Sequence, residues 1–325
     1  MSLQPAPYFQ DIAADVPGAT AYWVKAQDGP RLRIGHWPTQ GTPRGTVLIF
    51  PGRTEYIEKY AHVAADFSAQ GYASVAIDWR GQGLGERLVP DTRVGHVNAF
   101  ADYQHDVRAA TDLAAALDLP KPWFLLAHSM GGCIGLRALH EGLPVAASVF
   151  TGPMWGIRIA SAVRPAAWAV GWTSKLIGLS HLYAPSTGAE SYVATAAFED
   201  NVLTRDRLMF DLMRDQVLKR PELQLGGPSL RWLHEALVET RQLAARPAPN
   251  VPCLTIVGDN ERIVSVPRIE DRMTSWPNGR LEVIKDGEHE VLMESDAVRA
   301  PILRQILEHF DTHAKAPSAA LAEQV

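Results

Sequence analysis

Ser129 stands where an apolar run, residues 123–127 (WFLLA), has just ended and a helix-like run, residues 133–139, is about to begin. Its neighbours are small or flexible: Ala127-His128-Ser129-Met130-Gly131. A buried strand that turns sharply into a helix thrusts the side chain at the turn outward. It also sets that side chain beside helix N-terminal N–H groups, which favour negative charge. This is the logic of a nucleophile elbow, normally written G-x-S-x-G, with alanine at the first position here. The bland alternative is a serine that caps a helix. A serine hydroxyl becomes a nucleophile only with a base, and the base needs an orienting carboxylate. In this architecture acid and base follow the serine in that order. Asp259 and Glu261 follow the apolar run 253–258 (CLTIVG), and His289 follows the run 281–285 (LEVIK). Three strand ends therefore offer the residue types of an acyl-transfer site.

Two other motifs fail on inspection. Residues 81–86 (GQGLGE) follow a strand-like run, but residue 86 is Glu86, so G-x-G-x-x-G is not completed. Residues 289–293 (HEVLM) begin like a zinc motif, but Met293 stands where the second histidine belongs. No phosphate loop is present, and neither a cofactor nor a metal is expected. Glu288 and Glu290, on either side of the histidine, read as solvated neighbours.

The elements that must position these residues are legible as apolar runs rich in β-branched and aromatic residues. Those at 20–26, 31–37, 45–50, 73–78, 123–127, 146–151, 253–258 and 281–285 read as strands. From residue 45 onward helical patterns separate most of them, which predicts an α/β fold with a mostly parallel central sheet flanked by helices. The first two runs lack an intervening helix and are expected to form an antiparallel edge. The alternation lapses after Thr151. Residues 153–230 are expected to form a mainly helical cap, on a core of residues 1–152 and 231–315, with a disordered tail at 316–325. Trp168, Trp172, Leu176 and Leu179 share one helical face. They read either as packing beneath the cap or as a rim touching substrate or a lipid interface. Trp155, Trp168 and Trp172 are the candidate substrate-binding residues.

Composition excludes several classes. The chain has 325 residues, a net charge of −5, 46% hydrophobic and 21% charged residues. No clustered basic face suggests a nucleic-acid partner. The two cysteines, Cys133 and Cys253, lie in apolar surroundings and read as buried thiols in a reducing, cytoplasmic setting. The N-terminal residues lack the basic and apolar regions of a signal peptide. No apolar run is long enough to span a bilayer, so only weak contact with a lipid interface, through the cap, is expected.

Residues 50–60 (FPGRTEYIEKY) resemble the H-G-x-G-E-x-x-x-R-Y segment of the monoacylglycerol lipase and bacterial lysophospholipase group of α/β-hydrolases, with Gly52, Glu55 and Tyr60 in place. Residues 78–86 (DWRGQGLGE), 95–107, 126–132 (LAHSMGG) and 287–294 (GEHEVLME) resemble further segments of that family. The resemblance implies a serine hydrolase acting on a monoacyl glyceride, a lysophospholipid or a smaller ester, with Ser129 as nucleophile and His289 as base. It implies an oxyanion hole from the backbone N–H groups of Met130 and Arg53. The Arg53 side chain reads separately, either as favouring an anionic head group or as facing solvent. The family's acid lies three residues after the glycine, which here is Glu261 rather than an aspartate. Asp259 remains the alternative. Pro51 replaces the family's usual histidine. An aminopeptidase on the same scaffold and an inactive binding protein are the rival readings. The only acidic cluster in the cap that would suit a free amine is Glu199-Asp200. Epoxide and haloalkane hydrolases carry aspartate at the elbow, against which Ser129 counts.

Overall fold

A computed structural model describes residues 3–159 and 164–314, so the expected tail at 316–325 lies outside the described residues. The sheet is built from β1 (Gln4–Pro5), β2 (Thr20–Lys25), β3 (Arg31–Trp37), β4 (Gly45–Phe50), β5 (Tyr72–Asp78), β6 (Trp123–His128), β7 (Ala147–Thr151), β8 (Cys253–Gly258) and β9 (Gly279–Ile284). Their spatial order is β1-β2-β3-β5-β4-β6-β7-β8-β9. β1, β2 and β3 pair antiparallel, as does β3 with β5, and the remaining pairs are parallel. The edge expected from the first two apolar runs is thus present, extended by the two-residue β1.

Every residue of β4, β5, β6, β7 and β8 is buried, because helices cover both faces. Strand periodicity divides the side chains between two cores. Leu48, Phe50, Leu125 and Ala127 face α2 (Tyr103–Ala116), α3 (Met130–His140), α7 (Leu230–Ala244) and α8 (Val266–Thr274). Val47, Ile49, Phe124 and Leu126 face α1 (Ala61–Ala69) and α9 (Asp296–His313). Each buried Leu, Ile or Phe contributes roughly 1.5–3 kcal/mol relative to exposure. The central strands are therefore held from both sides.

Between β7 and α7 the chain forms α4 (Arg164–Leu176), the short α5 (Tyr192–Thr195) and α6 (Arg207–Lys219), and adds no strand to the sheet among the described residues. β4 connects to β5 on one side while β6 connects to β7 on the other. The carboxyl ends of β4 and β6 therefore open a crevice at a topological switch point. Residues 51–55 follow β4 there, and Ser129 follows β6.

Candidate active site

Ser129 joins β6 to α3 with φ 50° and ψ −116°, a backbone conformation that costs an L-residue about 1–3 kcal/mol. The surroundings enforce it. Its N–H donates to the Thr151 carbonyl at 3.1 Å, and its own carbonyl accepts from the N–H groups of Gly132 at 2.9 Å and Met154 at 2.8 Å. Close approach explains the glycine two residues on. A Cβ at Gly131 would stand 2.0 Å from the Phe50 carbonyl oxygen, so only glycine lets α3 press against the end of β4.

The Ser129 hydroxyl lies 2.9 Å from Nε2 of His289, and Nδ1 of His289 lies 2.6 Å from Oε2 of Glu261. With the hydroxyl donating to Nε2, the second ring nitrogen carries the proton that Glu261 accepts. The other carboxylate oxygen of Glu261 accepts from the N–H groups of Ile263 at 2.6 Å and Val264 at 3.0 Å. Burial alone would push the Glu261 carboxyl up. Hydrogen bonding and charge from His289, with the two N–H donors, hold it below its ordinary value instead. The loops after β8 and β9 meet because Gly258 has no side chain: a Cβ there would lie 2.1 Å from the Gly287 carbonyl oxygen. Ser129, Glu261 and His289 are all buried, whereas Asp259 is exposed.

A second charged group lies behind the histidine. Glu290 accepts from Lys59 Nζ at 2.7 Å and lies 3.3 Å from His128 Nε2. Lys59 also binds Glu55, whose other oxygen accepts from the Gly52 N–H and from the Tyr60 hydroxyl. His128 is fixed on its far side by Thr151 and stacks obliquely 4.7 Å from the His289 ring. Burial opposes charge throughout. Even so, Glu290 is held well below the usual carboxylate range by His128 and Lys59, and the His128 imidazole is raised by Glu290 and Glu55. Donor atoms of Glu55, His128 and Glu290 lie close enough to grip a metal ion. The Lys59 ammonium already binds both carboxylates there, so the cluster is satisfied as an ionic network.

A cavity of about 610 Å³ opens over Ser129 and His289. Its far wall comes from the segment between β7 and α7, through Tyr192, Val193, Met213, Val217 and Leu225, with Trp232 from α7. The same segment is tied to the histidine loop, since the N–H of Glu290 donates to the Leu203 carbonyl at 2.8 Å. Arg53 and Met130 belong to the wall, and no hydrogen bond occupies the backbone N–H of either among the described residues.

The Hydrolase_4 family, described as serine aminopeptidase S33, matches residues 41–296. The chain belongs to this family. Lysophospholipase L2 of Escherichia coli strain K12 is 34% identical over 281 residues, covering 82% of this chain and 80% of that protein. Monoacylglycerol lipase of Mycolicibacterium smegmatis is 27% identical over 277 residues, covering 82% and 89% respectively. Among solved structures, a soluble variant of monoglyceride lipase from Saccharomyces cerevisiae, in complex with a substrate analog, superposes with a TM-score of 0.72. It is 20% identical and covers 95% of this chain and 99% of that one. The fold is the α/β-hydrolase fold.

In this Hydrolase_4 chain three sequence-based expectations need correction. Trp155 does not reach the cavity over Ser129. It is buried in the core, stacked 5.7 Å from Trp276, and its indole N–H donates to the Gly132 carbonyl. Trp168 rests edge-on against His234, and Trp172 points to solvent at 59% exposure, so neither lines that cavity. Leu176 and Leu179, on the same stripe, are exposed as well, which rules out packing beneath a cap for most of it. Glu288 and Glu290 are not solvated but buried, Glu288 against Arg262 and Glu290 against Lys59 and His128. Sequence reasoning missed Trp232 in the cavity wall and the Glu55–Lys59–His128–Glu290 network. The four-residue spacing of Glu55 and Lys59 was the available signal.

Proposed function

We propose that this chain hydrolyses carboxylic esters of lipids through an acyl-enzyme. The Ser129 hydroxyl attacks the ester carbonyl as His289 Nε2 takes its proton. Glu261 holds the imidazole in the required tautomer and stabilises its cation. The backbone N–H groups of Met130 and Arg53 receive the oxyanion, where charge develops in the tetrahedral intermediate. His289 then protonates the leaving alcohol, and water repeats the sequence on the acyl-enzyme. The observation that carries the reading is the hydrogen-bonded series Ser129–His289–Glu261 at the floor of a cavity walled largely by apolar side chains.

Residues 153–230 act in this reading as a cap that shapes the acyl-binding side. The relatives named for lysophospholipid and monoacylglycerol hydrolysis support a monoacyl lipid as substrate. Val170, Trp172, Leu176, Ile177, Leu179 and Leu182 are all at least 43% exposed along and just beyond α4. Such a face suits contact with a lipid surface, where an apolar patch partitions at the headgroup boundary. No described helix is long and apolar enough to cross a membrane. The free thiols of Cys133 and Cys253, both buried, support a cytoplasmic setting.

The family description keeps an aminopeptidase reading in view. Purified protein offered p-nitrophenyl acyl esters, monoacyl lipids and aminoacyl anilides separates the two. Hydrolysis of the esters and lipids with negligible release from anilides is expected, and the reverse order would replace lipid by peptide.

A further inference from the structure

Two basic side chains, Arg53 and Lys59, line the cavity over Ser129. Lys59 is neutralised, its ammonium shared between Glu55 and Glu290. Arg53 is not. Its Nη2 donates to the Gly226 carbonyl, and its Cζ lies 5.4 Å from the Trp232 ring centre. Its Nε is buried and has no partner among the described residues. Among the described residues no carboxylate pairs with it, whereas Arg33, Arg80 and Arg137 each pair with two acids. Burial pushes the Arg53 guanidinium down to about 10, which leaves it charged at neutral pH. Arg53 is half-buried, and a cation partly removed from water without a counter-ion is costly, so a ligand that supplies the missing charge would be favoured there. Gly226 and Trp232, which the guanidinium touches, are themselves cavity wall. The uncompensated charge therefore belongs to the substrate site.

We propose that the Arg53 guanidinium is a head-group site that takes the phosphate of a monoacyl glycerophospholipid, making a phosphate-bearing lipid the preferred substrate over a neutral monoacylglycerol. The proposal rests on the esterase reading above. Chain length fits it. The same number of covalent bonds separates the backbone nitrogen of arginine from Cζ as separates the ester carbon from phosphorus in a 1-acyl glycerophosphate. One residue can thus offer its N–H to the oxyanion and its guanidinium to the phosphate of the same molecule. Arginine suits this better than lysine, since its planar donors match phosphate geometry.

The test is the ratio of kcat/KM for a 1-acyl glycerophosphocholine to that for a 1-monoacylglycerol of equal acyl length, both in dissolved form. Arg53→Gln should lower the ratio about 10- to 100-fold, with Arg53→Lys between, in keeping with charge-assisted hydrogen bonding. Equal losses on both substrates would overturn the proposal, because Arg53 would then act only through the loop that carries it. Wild-type protein gives a second arm at constant ionic strength. Glycerol 3-phosphate should inhibit hydrolysis competitively, and glycerol should not. Inorganic phosphate inhibiting as well as glycerol 3-phosphate would mark a free-anion site and overturn the head-group assignment. If wild-type protein cleaves neither lipid, the esterase reading falls on its own. Calorimetric binding of glycerol 3-phosphate to wild type and Arg53→Gln then decides the site, and equal affinities would overturn it.

Discussion

The loops at the carboxyl ends of β6, β8 and β9 are tied to one another and to their neighbours by hydrogen bonds, while α4 and the turn after it turn Trp172, Leu176 and Ile177 toward solvent. In the first region Ser129 is held in a strained backbone by hydrogen bonds to Thr151, Gly132, Cys133 and Met154, and Glu261 accepts from two N–H groups before it meets His289. In the second, large apolar side chains lack cover among the described residues. Under the proposed function the contrast corresponds to two jobs. Bond-making chemistry needs atoms held to within a fraction of an ångström, which dense hydrogen bonding supplies. Recognition of a greasy substrate needs apolar area that tolerates varied shapes. Substitutions in the first region should therefore cost kcat, and in the second should cost selection between substrates or between dissolved and membrane-borne ester.

The largest expected effect is at the base. His289→Ala should lower kcat on a p-nitrophenyl ester by about a million-fold with little change in KM, as removal of a triad base does elsewhere. Glu261→Gln should cost about 10,000-fold, because an amide favours the wrong tautomer of the imidazole. Asp259→Asn, at an exposed position, should stay within a few-fold of wild type. Equal losses at the two acids would erase the distinction drawn between them.

Glu290→Gln breaks a buried pair and should destabilise the fold by about 3 kcal/mol, read from denaturant unfolding. A variant as stable as wild type would mean that the network behind His289 contributes nothing. Smaller again is the response to pH. His36, His140 and His309 are half-buried, each with its Nε2 shielded from solvent and without a partner among the described residues, and desolvation above all pushes each down to about 4. Their unfolded value is 6.5, so the unfolded chain takes up protons first and stability should fall as pH drops from about 6.5 toward 4. His128 runs the other way. Burial disfavours its charge, but Glu290 and Glu55 raise its pKa, so its contribution is complete below 6.5 and is lost as pH rises through the raised value. Tm should therefore rise from pH 4 to about 6.5 and decline above it. His128→Asn should remove only the upper decline, and persistence of that decline would assign it to another group.

The smallest effect belongs to the apolar face. Trp172→Ser with Leu176→Ser should reduce hydrolysis of vesicle-borne lipid about 10-fold more than hydrolysis of dissolved ester, through loss of partitioning energy. Equal effects on both forms would deny that face any role at an interface.

Much of the chemistry was legible before the fold. The runs at 45–50 and 253–258 coincide with β4 and β8, because strands buried on both faces leave unbroken apolar signatures, and the run at 31–37 coincides with β3 although Arg31, Arg33 and His36 interrupt it. The spacing from Gly258 favoured Glu261 over Asp259, and Glu261 is the acid that meets His289. What was misread depends on partners far away in the chain. Glu290 looked solvated because Lys59, which buries it, lies 231 residues earlier. Trp155 looked available to substrate because Trp276, on which it stacks, lies far along the chain, beyond α4, α5, α6, α7, β8 and α8. The stripe that begins on α4 stayed open between packing and an exposed rim because helical periodicity marks an apolar face without saying what covers it.

The central claim is that His289, oriented by Glu261, makes the Ser129 hydroxyl a nucleophile. A fluorophosphonate probe followed by peptide mass spectrometry tests it most directly. A single stoichiometric adduct on Ser129 is expected, absent in Ser129→Ala and slowed by several orders of magnitude in His289→Ala. No adduct on Ser129 in folded wild-type protein, or labelling of His289→Ala at the wild-type rate, would contradict it.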